Sequence, residues 1–252
     1  VIDALPVAPA WLLLVAAIGL YLVDAAQLLF VNELLFVRDG SQWHVLCPLG
    51  RPELARRYLV LPNVLRPDLA LLRMAWPVRN SASKTAEPTA IGTLEATLEG
   101  LAPLRWLCLT LFVALFLLAP PAFIYYGAPG FLVVLSAAYL LVLVTLVWLL
   151  RMRSRVGLPW NVVGALAFES LICIPYSINV YRKLTLRLLP RDLDVVTAAT
   201  ALVATSERPD FLARMDRIAA ERLEWLNPGS TESRSLVAVR RELAAMRDRH
   251  EP

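Results

Sequence analysis

Two carboxylates stand inside apolar stretches of this sequence, Asp24 and Glu169. A carboxylate in hydrocarbon is costly unless it is paired, hydrated or protonated, so such residues face a bundle interior or a cavity. There they can form a proton relay or a cation site. Asp24 has Gln27 three residues on, which places both on one face of a helix. Glu169, Cys173 and Tyr176 share a second face at helical spacing. Asp24, Gln27 and Glu169 are therefore the candidate intramembrane polar site. The competing role is structural, with Asp24 bonding a neighbouring helix and Glu169 pairing with Arg155 or Arg182. The structural role is favoured, because one carboxylate on each of two helices, without a histidine, is thin for catalysis.

The remaining reactive side chains form no catalytic pattern. Cys47-Pro48 has no base close in sequence, which makes it a poor nucleophile. His44 beside Trp43 reads as a surface or packed imidazole. Ser81-Ala-Ser-Lys84 matches the S-x-x-K pattern of penicillin-recognising enzymes, but it lies in a polar linker without the companion motifs. Cys47, Cys108 and Cys173 are far apart and lack metal or disulfide spacing. Only His44 and His250 are present, which excludes a histidine-rich metal or haem site. A phosphate-cradling glycine loop, H-E-x-x-H and a Ser-His-Asp arrangement are all missing from the sequence. The expectation is no catalytic residue, no metal and no cofactor.

Composition points to the membrane class. Apolar residues make up 58% of 252, and mean hydropathy is +0.59. Charged residues are still 18%, so a sizeable part lies in water. The net charge of +4 fits the positive-inside rule and contact with anionic lipid. Nucleic acid is not an expected partner, because no basic run is interleaved with aromatics.

The elements that must position the carboxylates follow from hydropathy. Residues 106–150 hold no Lys, Arg, Asp or Glu. They read as two apolar runs, Trp106–Tyr126 and Phe131–Leu150, broken by Gly127-Ala128-Pro129-Gly130. Each run is about 20 residues, enough to cross a hydrocarbon core of about 30 Å. Two membrane helices, 105–126 and 131–150, are expected as a hairpin. Another is expected over 10–31, after a short external terminus at 1–9. Residues 160–181 are long enough to span, yet hold Asn161, Glu169, Ser170, Pro175, Ser177 and Asn179. Basic clusters flank them on both sides, so an interfacial or re-entrant helix bent near Pro175 is favoured over a fourth span.

The water-facing parts read differently. Residues 32–79 suggest a small β-containing unit, with a hairpin of Glu33–Val37 and Gln42–Leu46 around Asp39-Gly40. Tyr58–Leu61 and Leu69–Trp76 are further strand candidates in one minimal sheet. Residues 80–92 read as a linker and 93–104 as a surface helix. Residues 191–252 form amphipathic stripes of a helical tail, starting at a cap from Asp192 or Asp194, with breaks near Pro209 and Asn227-Pro228-Gly229.

Charge sets the orientation. Every basic residue lies in 38–105 or 151–249. With the amino terminus outside, all of them fall on the inner side. Arg151, Arg153, Arg155, Arg182 and Lys183 are then candidate lipid head-group contacts. The fold class is a mainly α membrane protein with three transmembrane helices, one interfacial, re-entrant or fourth transmembrane helix, a cytoplasmic β-hairpin unit and a helical cytoplasmic tail. The expected location is a bacterial inner membrane. The expected function is a non-enzymatic anchor or scaffold subunit that docks partner proteins, or copies of itself, at the cytoplasmic face. The alternative is a transporter or channel subunit that uses Asp24 and Glu169 as a proton or ion path.

Overall fold

The computed structural model describes residues 7–30, 33–48, 50–55, 57–75, 88–188 and 195–248. The chain forms two compact units. Unit 1 holds Val1–Ala26, Leu61–Leu69 and Thr97–Thr185, and unit 2 holds Gln27–Val60, Ala70–Ala96 and Leu186–Pro252.

Unit 1 is helical. It contains α1 (Val7–Ala25), the end of α2 (Pro88–Gly100), α3 (Ala102–Phe112), a π-helical stretch over Val113–Leu118, and α4 (Ala119–Val156). Next come α5 (Trp160–Ile172), α6 (Ile174–Ile178) and α7 (Val180–Thr185). The stretch Ala102–Val156 is almost continuous in hydrogen bonding, but Gly127 inside it has φ 66° and ψ −152°. That backbone is open essentially to glycine alone. A Cβ built on Gly100 would lie 3.5 Å from the Cε of Met152. In one straight helix these two residues would stand roughly 75 Å apart. The stretch is therefore a hairpin that reverses at Gly127. Phe123 and Phe131 meet edge to face across the reversal, with centroids 6.1 Å apart. Gly130 is held close as well, since a Cβ there would fall 2.6 Å from Tyr126 Cβ and 2.7 Å from the Ala122 carbonyl oxygen.

The two arms bury a seam against α1 and α6. Leu111, Leu115, Ala138, Val142 and Leu146 pack with Tyr21, Ile174 and Ile178. Tyr21 also meets Phe112 and Phe116, with ring centroids 5.7 and 5.4 Å away. The outer faces of the same helices remain uncovered. Tyr125, Tyr126, Leu132, Val133, Leu140 and Val147 are exposed, as are Leu12, Leu13, Val15 and Val23 of α1. Among the described residues, Ala102–Val156 is the one stretch long and apolar enough to cross a membrane, and only 28% of its most apolar window is buried. Leu12–Ala25 and Trp160–Ile172 are apolar but shorter.

Unit 2 carries two antiparallel sheets and a helical hairpin. Its strands are β1 (Gln27–Leu29), β2 (Glu33–Asp39), β3 (Gln42–Leu46), β4 (Glu53–Leu54), β5 (Arg57–Val60) and β6 (Ala70–Ala75). One sheet has the order β3-β2-β6 and the other β1-β5-β4. The β2–β3 hairpin pairs Asp39 with Gln42, and Gly40 takes the left-handed turn position at φ 62°. β2 is central, and its Leu34, Leu35, Phe36 and Val37 are all buried instead of alternating. The helices are α8 (Val195–Leu202), α9 (Arg208–Glu224) and α10 (Thr231–Asp248). Arg240 of α10 ties to Asp216 of α9 at 2.6 Å.

Several elements differ from the sequence expectation. The first helix does not continue to residue 31. It ends at Ala25, because Gln27–Leu29 pair with Tyr58–Val60 in a sheet. Among the described residues, six strands in two sheets replace four strands in one. β4 is only two residues long, too short to leave a periodic signal. The expected surface helix begins earlier, at Pro88, inside the expected linker, and its Leu94 and Leu98 are buried with Leu101 after it. The second arm of the hairpin does not stop at Leu150 but runs on to Val156. The 160–181 segment breaks at Cys173, which has extended φ and ψ and precedes Ile174-Pro175. The capping role of Asp192 or Asp194 and the Ser81–Lys84 motif lie outside the described residues.

Candidate functional site

The polar groups of unit 1 converge where α1 ends. α1 delivers Tyr21 and Asp24, one turn apart, to the same face. The break at Cys173 turns the chain so that α6 and α7 bring Asn179, Arg182 and Lys183 to that face. Lys183 Nζ lies 2.6 Å from Asp24 Oδ1 and 2.8 Å from Glu169 Oε2. Asn179 Nδ2 donates to Asp24 Oδ2 at 3.0 Å. Lys183 Nζ also stands 5.0 Å from the centre of the Tyr176 ring. Asp24 is 12% exposed, Lys183 17% and Glu169 40%, so the cluster grades from interior to surface. Two carboxylates thus share one ammonium.

Arg182 forms the second half of the cluster. It is only 1% exposed. Its Nη2 donates to the backbone carbonyls of Asn63 and Arg66. Tyr21 Oη donates to the carbonyl of Val64 between them. Three carbonyls of the Leu61–Leu69 loop, those of Asn63, Val64 and Arg66, thereby gain side-chain donors, which offsets the cost of a buried irregular backbone. Arg182 Nε and Nη1, Asn179 Oδ1 and Ser170 Oγ are buried without a hydrogen-bond partner. Cys108 Sγ contacts the carbonyl of Ser177 at 3.6 Å.

The same loop is fixed at its far end by Asp68. Arg66 clasps it with Nε at 2.8 Å and Nη2 at 3.0 Å, and Arg105 of α3 adds Nε at 3.2 Å and Nη2 at 3.0 Å. Burial alone raises the pKa of a carboxyl, but the two guanidiniums outweigh it, and Asp68 lies below its ordinary value. A depressed carboxyl pKa stabilises the fold above about pH 4 and loses that contribution as pH falls through the folded value. Asp68→Asn is therefore expected to melt lower than the native chain at neutral pH, with the gap closing below about pH 4. Melting curves of both proteins across that range check it. A gap that stays constant with pH would refute the assignment.

The structure relocates most of the sequence-predicted site. Asp24 and Glu169 come together, through Lys183. Gln27 does not join them: it is in β1, paired with Val60, and belongs to unit 2. The helical face of Glu169, Cys173 and Tyr176 is interrupted at Cys173. Glu169 pairs with Lys183, where Arg155 or Arg182 was expected. Arg182 and Lys183, expected among the lipid head-group contacts, are turned inward and engaged by protein groups. Arg153 stacks over Trp160, with Cζ 3.8 Å from the ring centre, and Arg151 and Arg155 are exposed. Sequence reasoning missed Tyr21, Asn179, Asp68, Arg105 and the Leu61–Leu69 loop. The signal for the loop is its pair of turn-forming dipeptides, Pro62-Asn63 and Pro67-Asp68, five residues apart.

Unit 2 holds its own polar groups. Arg73 joins Glu33 and also donates to the Leu28 carbonyl at 3.0 Å. His44 Nδ1 is 3.6 Å from Glu207 Oε2, at a cavity of about 320 Å³ that Cys47, Asp210 and Arg214 also line. Burial pushes the Cys47 thiol up, which opposes thiolate chemistry there. Among the described residues, no group of three His, Cys, Asp or Glu side chains is arranged to hold a metal ion. Comparison of the chain with protein-family models, curated proteins and solved structures finds no match.

Proposed function

We propose that this chain is an integral membrane anchor or scaffold subunit, with no chemistry of its own, that holds partner proteins or further copies at the cytoplasmic face. The observation that carries the reading is the contrast within unit 1. Its helices leave large apolar side chains uncovered along their outer faces, while the two carboxylates of its apolar segments, Asp24 and Glu169, converge on Lys183. Contiguous apolar surface of that extent is foreign to a water-soluble monomer and natural in lipid. In this reading the two arms 102–126 and 128–156 cross the bilayer, each roughly 35–45 Å long. α1, about 28 Å long at 19 residues, is the remaining span. α5, of 13 residues or about 20 Å, is too short to cross alone and lies at the inner interface. In the same reading the basic residues flank these helices on the inner side, the start of α1 faces outward, and the membrane is a bacterial plasma membrane.

A second reading has one specific observation in its favour, the convergence of Asp24 and Glu169. As an ion path, however, that pair is already occupied by a lysine of the same chain, which fits a lock between helices.

The test is carbonate extraction followed by purification in mild detergent. The chain is expected to stay in the membrane pellet and to purify with a stoichiometric partner or as a defined oligomer. The Asp24→Asn, Glu169→Gln double variant is expected to retain the same assembly. Release into the carbonate wash would overturn the membrane reading. An intact complex that loses ion flux in the double variant would replace the scaffold by a transporter.

A further inference from the structure

The predicted head-group residues Arg182 and Lys183 are internal, which leaves open where unit 1 meets anionic lipid. The first turns of α3 offer an answer. Ala102, Pro103, Trp106, Leu107 and Thr110 form one face of the helix that begins the long apolar stretch and line a shallow, open groove there. Trp106 is 61% exposed along it. Beside the groove stands Arg105, half-buried, with Cζ 5.6 Å from the Trp106 ring centre. Its guanidinium is held by Asp68, which is 4% exposed and shared with Arg66. Two cations thus meet one carboxylate, and the carboxylate is on the inside.

We propose that the α3 groove and Arg105 together bind one anionic phospholipid, the acyl chain lying along Trp106 and Thr110 and the phosphate meeting Arg105. The inference rests on the membrane reading above and adds to it a defined lipid site. Charge complementarity selects the occupant. A fixed guanidinium beside an exposed indole matches the phosphate and glycerol level of a bilayer, and the apolar groove runs from there along the membrane-crossing arm. Asp68 holds Arg105 in place, so little side-chain entropy is left to lose when the phosphate arrives.

The experiment uses the full chain purified in mild detergent and delipidated, after carbonate extraction has established insertion. Native mass spectrometry then reads the retention of phosphatidylglycerol and phosphatidylcholine with identical acyl chains. The native protein is expected to retain phosphatidylglycerol preferentially. Arg105→Gln is expected to lower that retention about fivefold and leave phosphatidylcholine unchanged. Arg105→Lys keeps the charge and most of the preference. Thr110→Trp fills the groove with Arg105 intact and lowers retention of both lipids, so the site remains testable should Arg105→Gln fail to fold. Arg217→Gln, at an exposed cation of α9, leaves both unchanged. Equal retention of the two lipids by the native protein, or equal losses from Arg105→Gln and Arg217→Gln, would overturn the site. Release by carbonate would overturn the membrane reading itself, a result distinct from either.

Discussion

Replacing Arg182 with alanine is expected to destabilise unit 1 by about 3 kcal/mol, the worth of one to two charge-assisted hydrogen bonds plus the space left behind. Arg182 is 1% exposed and serves two loop carbonyls, those of Asn63 and Arg66. Truncation removes the charged donor from both and leaves each with its backbone donor alone, the Arg66 N–H on Asn63 and the Leu69 N–H on Arg66. Arg182→Lys recovers only part, since a single ammonium on a flexible stem does not reproduce a planar fork. Arg182→Met should cost less than alanine. It fills the space and also removes the unpartnered Nε and Nη1, which are a burden in the native chain. For a chain of this size, about 3 kcal/mol lowers the melting temperature by roughly 6–12 °C. Thermal unfolding in detergent reads that shift, and limited proteolysis reads whether residues 61–69 become open to cleavage. A melting point within about 2 °C of native for the alanine variant, less than 1 kcal/mol, would refute the clamp.

That clamp also marks where sequence reasoning stops. The hairpin is legible because an uncharged run broken by Gly127-Ala-Pro-Gly130 has few other solutions. The β2–β3 hairpin is legible because Asp39-Gly40 between β-formers is local turn chemistry. Both signals are contained in a few neighbouring residues. The polar cluster has no such local signature. Tyr21, Val64, Asn179 and Arg182 meet across well over a hundred positions, and nothing in the spacing of any two announces it. Arg182-Lys183 after an apolar segment carries the same letters as an interfacial basic pair. The difference lies in the break at Cys173, which turns both side chains inward. α1 fails for a related reason. Leu28-Leu29 continues the apolar run of the helix before it, and the pairing with Tyr58–Val60 makes Gln27–Leu29 a strand.

Lys183 is where the structural and transport readings of the carboxylates separate most sharply. Lys183→Met is expected to destabilise unit 1 by about 3 kcal/mol. The two contacts on Nζ, 2.6 and 2.8 Å, confine Asp24 and Glu169 to the same small region. Two like charges about 5 Å apart repel by roughly 3 kcal/mol at an effective dielectric of about 20. Without the ammonium that repulsion is uncompensated, and one carboxylate must take up a proton or move away. Asp24→Asn in the Lys183→Met background is expected to restore most of the loss, because one carboxylate alone has nothing to repel it. Asp24→Asn in the native background removes the more buried partner and costs about 1–2 kcal/mol. Glu169→Gln, at the surface end of the cluster, costs less than about 1 kcal/mol. The order Lys183 above Asp24 above Glu169, with rescue in the double variant, belongs to a charge-balanced lock. A path for ions predicts the opposite sensitivity, in which neutralising either carboxylate abolishes transport and stability barely changes. Unfolding curves of the four variants in detergent decide it. An additive double variant, with no rescue of Lys183→Met by Asp24→Asn, would show that the three charges do not act as one unit.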